Sequence, residues 1–109
     1  MEKRQEDVIK IDVVVFLDQS GDWFAQGIQH DIAAHARSPS TLRHAFEKKV
    51  LANIIVNRKI GRLGLEGIPP APIHFKNMFD EAGEELNPVS RDAAHATTVD
   101  ARLRLLEAA

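Results

Sequence analysis

Ser38-Pro39 and Gly61 bracket the longest stretch of helical apolar periodicity in the chain, and this bracket constrains the fold more than any other feature. Serine suits an N-cap because its hydroxyl accepts a bond from an orphan N–H of the first turn. Proline suits the first helical position, where its missing N–H costs nothing. Glycine at the far end accepts the left-handed conformation that closes a helix. Between these signals Leu42, Ala45, Phe46, Val50, Ile54 and Ile60 form a broad stripe, widened by Leu51 and Ile55. Arg43, Lys48, Lys49 and Arg58 fall largely elsewhere. A helix of roughly 20 residues is about 30 Å long and needs an apolar surface to lie on.

The upstream residues supply that surface. In 8–18, Ile9, Ile11, Val13 and Val15 share one face at period two, while Lys10 and Asp12 open the other. Gln19-Ser20-Gly21-Asp22 has the chemistry of a turn, so 23–28 returns as a second strand. The alanine-rich 31–37 could pass for helix, but the start signal at Ser38-Pro39 leaves it extended. The reading is an α+β fold: a three-stranded antiparallel sheet packed on one long helix.

Beyond Gly61, the breakers Gly64, Gly67, Pro69, Pro70 and Pro72 mark a connection. Phe75, Met78, Phe79 and Ala82 then fall at i, i+3, i+4 and i+7, a short amphipathic helix ending at Gly83. A helix this short cannot stand alone, so it docks on its own sheet or on another subunit. Residues 84–109 read as a flexible C-terminal tail that the fold does not need, with a possible terminal helix capped at Thr97-Thr98-Val99-Asp100. The domain is therefore placed at 8–83 and the tail at 84–109.

The chain has 109 residues, room for one domain, with ordinary globular proportions of hydrophobic (44%) and charged (28%) residues. It has no cysteine, which excludes disulfides, thiolate metal ligands and thiol catalysis. A formal charge of -2 offers no general attraction to duplex DNA, and no apolar run approaches bilayer-spanning length. Nothing marks export, so a cytoplasmic location is the expectation.

The order of pieces in 8–60 resembles the N-terminal domain of the HicB antitoxin superfamily. The strand Val13-Val14-Val15-Phe16-Leu17-Asp18 leads into Gly21-Asp22-Trp23-Phe24-Ala25. Gly27-Ile28-Gln29-His30-Asp31-Ile32-Ala33-Ala34-His35-Ala36 follows, and then Ser38-Pro39-Ser40-Thr41-Leu42 with Ala45. In that family a G-x-W-x-A strand pair and a third strand precede a helix opening T-hydrophobic-x-x-A. The resemblance covers about half the chain. It implies a β-β-β-α core, often completed by a fourth strand and related to partial dsRBD-like folds. It further implies a module that binds a small toxin protein. The chain departs from the family pattern in showing no obvious fourth strand and no recognisable DNA-binding arm or helix-turn-helix, so duplex DNA binding is not expected.

Chemical constellations are sparse. His30, His35, His44, His74 and His95 do not fall at ligand spacing on one face, so no metal and no cofactor are expected. Ser38 lacks a nucleophile context, and capping accounts for it. Asp80, Glu81, Glu84 and Glu85 read as a charged helix end, and the glycines of 61–67 as chain reversal. No nucleophile–base–orienter set can be assembled, so the chain is expected not to be an enzyme. The apolar residues singled out for a partner or subunit contact are Trp23, Phe75, Met78 and Phe79. The expectation is a HicB-like, antitoxin-like protein-binding module, a homo-oligomer (a dimer first), with a small basic toxin protein as a possible partner. The alternative is an RNA-binding domain using Lys48, Arg58 and Arg62, although cations near a helix C-terminus also offset its dipole.

Overall fold

The structure is a computed structural model, and it describes residues 7–85, 89–94 and 97–106. The strand β1 (Asp7–Leu17) turns back into β2 (Trp23–Gly27), and β3 (Ala33–Ala36) pairs antiparallel to β2. The turn between β1 and β2 is organised by Asp18, whose Oδ1 accepts from Ser20 N, Ser20 Oγ and Asp22 N. The long helix α1 (Pro39–Lys59) follows. Ser38 is its N-cap, accepting from Thr41 N at 3.3 Å, with Pro39 at the first position.

The far end of α1 closes as its sequence predicts. Gly61, at φ +82, donates to Arg58 O, and Arg62 N donates to Asn57 O at 2.8 Å. This pair of reversed bonds satisfies carbonyls that the last turn would otherwise orphan. The connection after Gly61 leads to α2 (Ile73–Glu81), and then to β4 (Glu84–Glu85), β5 (Val89–Ala94) and β6 (Thr97–Leu105).

The sheet is mixed rather than three-stranded and antiparallel. Its order is β3-β2-β1-β6-β4, with β5 also paired to β6. The strand β6 lies parallel to β1 over the whole span from Asp7↔Thr97 to Val15↔Leu105. Its other edge is shared by β4 and β5, both antiparallel to it. The expected tail with a terminal helix is thus corrected: 97–105 is a central strand. Val99, Ala101, Leu103 and Leu105 alternate with Asp100, Arg102 and Arg104, and the alternation places the first set against α1.

A helix sits on each face of the sheet. On the first, Ile11, Val13 and Val15 of β1 pack with Leu42, Phe46, Val50 and Ile54 of α1 and with Val99, Ala101 and Leu103. On the second, Val14 packs with Ile28 and with Phe79 of α2, and Phe16, Phe75, Met78 and Leu106 close around them. Consecutive strand residues point to opposite faces, so Val13 and Val14 serve different helices. All three of Val13, Val14 and Val15 are buried, as a strand covered on both faces requires. Ile28, just past the end of β2, belongs to the second core.

Candidate interaction surface

The buried line of α1 is Leu42, Phe46, Val50, Ile54 and Asn57. Ile60, expected in that stripe, is 60% exposed, and Ile55, expected to widen it, is 43% exposed. Ile60 is the C-cap, one position past the last helical residue. Leu42, five turns before Ile60 at the same angular position, is buried, so the place of Ile60 beyond the helix end, and not its phase, leaves it exposed. In its place Asn57 is buried, donating through Nδ2 to the carbonyls of Gly64 and Glu66 at 2.9 Å each. The connection is thereby held against the helix end, and the apolar residues near that end are left facing outward.

The result is an outer face with its own composition. Val56 (58% exposed) and Leu63 (72%) join Ile55 and Ile60. Lys48, Lys49, Ala52, Arg58, Lys59 and Arg62 are exposed as well. Toward the start of the helix the same side carries an open depression of about 350 Å³ lined by Thr41, His44, Ala45, Lys48 and Lys49. From Lys48 to Leu65 the sequence holds five cations and no anion.

Lys48, Arg58 and Arg62 do not form one patch. Lys48 and Arg58 are separated by about 15 Å of helix rise, with apolar side chains between them. Arg62 lies across Gly67, where a Cβ would stand 2.6 Å from its Nη1. The residues singled out for a partner contact are committed internally to a large degree. Trp23 packs on the α1 core, Phe79 is buried under α2, and Phe75 and Met78 pack around the second core. The short helix thus docks on its own sheet. Arg102 and Arg104 place their guanidinium carbons 5.4 and 4.5 Å from the centre of the Phe79 ring, and Arg102 also pairs with Asp12.

On that second face a row of rings crosses the sheet: His35, Phe24, Phe16 and then Phe75, with successive centroids 5.5, 5.8 and 6.4 Å apart. His74 closes on Phe75 at 4.0 Å. Each ring has a ring neighbour, so the row is a cross-strand packing feature that ties α2 to the sheet. The other histidines are scattered: His30 Nδ1 is 3.2 Å from the carbonyl of Ile68 and His44 is exposed on α1, while His95 lies outside the described residues. Asp80 pairs with Lys76, Glu81 is exposed, and the side chains of Glu84 and Glu85 lie outside the described residues. Among the described residues no three of His, Asp and Glu are grouped to hold a metal ion. No described helix is long and apolar enough to cross a membrane.

The outer face of α1 was the feature least visible in the sequence. Its signal is a second apolar set, Ile55, Val56 and Ile60, on a helix whose first set already accounts for the core. No family model, curated protein or solved structure matches this chain.

Proposed function

We propose that this chain is a HicB-like, non-catalytic protein-binding module that works through the outer face of α1. The observation carrying this reading is the exposed aliphatic pair Ile55 and Val56 on the side of α1 turned away from its buried line, with Ile60 and Leu63 also exposed just past the helix end. Apolar side chains clustered on one exposed face are costly to leave in water and mark interaction sites. The β-β-β-α order, with a further strand beside β1, supports the HicB-like part of the reading.

The second reading, RNA binding through Lys48, Arg58 and Arg62, draws on the run of cations in 48–65. The aliphatic residues between them weigh against it, because phosphate contact uses polar donors and base contact uses flat rings. A double variant, Val56→Ser with Ile60→Ser, tests the reading. It should unfold like the parent, since both residues are exposed, and should no longer retrieve the protein that the parent retrieves from its native cytoplasm. If the variant retrieves the same protein as the parent, binding lies elsewhere. If recovery depends on RNA alone, the second reading takes over.

A further inference from the structure

We propose that the outer face of α1 recognises an acidic amphipathic helix of a partner protein. The aliphatic side of that helix would seat on Ala52, Ile55 and Val56, with its carboxylates against Lys48 and Lys49 at one end and Lys59 at the other. This inference rests on the protein-binding reading above and names the chemistry of the partner.

The spacing selects a helix as the occupant. Lys48, Ala52, Ile55 and Lys59 are separated by four, three and four residues, and Lys49, Ala52, Val56 and Lys59 by three, four and three. These are the alternating steps of a seam along which two helices pack side by side. All of these residues are exposed. Lys48 and Lys59 stand about 16 Å apart along the axis, roughly three turns of a partner helix. Ala52 lies between them, and its small side chain leaves a dip that a ridge of partner side chains can enter.

Charge selects the sign. The run 48–65 holds five cations and no anion between the flanking Glu47 and Glu66, whereas the rest of the chain holds nine Lys and Arg against sixteen Asp and Glu. A second copy meeting this face across a two-fold axis would bring the same lysines toward one another, which disfavours self-association here. A small basic partner would meet the same repulsion. An anionic bilayer is flat and favours Trp, Phe and Leu on the inserted face, whereas this face offers Ile, Val and a dip at Ala52.

The test uses the full chain and a stapled helical peptide with leucines along one side and glutamates at both ends. The peptide is titrated by fluorescence anisotropy, with lysine-for-glutamate peptide, single-stranded RNA and phosphatidylserine-containing vesicles alongside. Saturable binding of the acidic peptide is expected, weakening as salt rises. Lys59→Glu and Val56→Ser should each weaken it about tenfold or more while unfolding like the parent. Lys59→Glu should also bind the lysine peptide better than the parent does, a gain that misfolding cannot produce. Equal binding of the two peptides by the parent, or binding of RNA or vesicles but not the acidic peptide, overturns the proposal. A photo-crosslinker at position 56 separates the two levels. If it captures a protein that the acidic peptide cannot displace, the acidic partner is wrong and the protein-binding reading stands. If it captures RNA alone, both fall.

Discussion

Asn57 occupies a position on α1 where a residue of the buried line would be aliphatic by pattern, and its two hydrogen bonds explain why it is not. Asn57→Ala leaves the Gly64 and Glu66 carbonyls without this donor and should cost about 1–3 kcal/mol in denaturant unfolding. A loss near zero would mean that water replaces the amide without cost. Gly27 is constrained by space: a Cβ there would stand 2.8 Å from the backbone oxygen of His30 and from Ile11 Cδ1. The Ile11 methyl can move, but the carbonyl is held by the chain, so Gly27→Ala should destabilise by about 1–3 kcal/mol. Asp18 has its pKa lowered from 3.8, first by the hydrogen bond from Ser20 and then by backbone donors. A lowered folded-state pKa means a stabilising contribution present above the unfolded value of 3.8 and lost as pH falls through the folded value. Carboxyl titration by NMR should place the Asp18 midpoint below 3.8. A midpoint at or above that value would show that the turn does not persist in solution.

The two sides of α1 make opposite predictions for apolar residues of similar chemistry. Phe46 is 2% exposed within the main core, so Phe46→Ala should cost about 3–5 kcal/mol. Ile60 is exposed beyond the last helical turn, so Ile60→Ala should stay within about 0.5 kcal/mol of the parent. Urea unfolding of the two variants checks both, and a large loss for Ile60→Ala would mean that this end of the helix is covered. The start and stop of α1 were legible because caps are local: Ser38-Pro39 and Gly61 act within one turn. Which of two apolar sets faces the sheet was less legible, because both sets are compatible with a broad stripe. The choice follows from the phase set by Leu42, Phe46, Val50 and Ile54, not from any single residue.

For the whole molecule, β6 lies between β1 and the β4–β5 edge and supplies Val99, Ala101 and Leu103 to the main core. Deleting residues 84–109 should therefore abolish cooperative unfolding, contrary to the expectation of a dispensable tail. A sharp thermal transition in the truncated chain would show that β1, β2, β3 and α1 suffice. The strand β3 ends the sheet on the other side, and an open edge invites pairing with another copy. A two-fold dimer is the expected state, formed away from the cationic face of α1. A monomer mass by light scattering at high micromolar concentration would contradict it.

The sequence by itself determined the local elements: the hairpin of β1 and β2, the extended residues before Ser38, the bounded helix α1 and the short amphipathic α2. In each case the signal is carried by residues a few positions apart, through turn chemistry, caps and periodicity. Only the tertiary structure decided the role of 97–105. Its Ala, Leu and Arg residues favour helix in isolation, and Val99, Leu103 and Leu106 also fit a helical face. Its period-two alternation acquires meaning only beside β1, a strand some ninety positions away in sequence. The interaction surface was hidden because a broad stripe does not say which side of α1 meets the sheet: the helix phase turns Ile55 and Val56 to water, and Ile60 lies past the last helical residue.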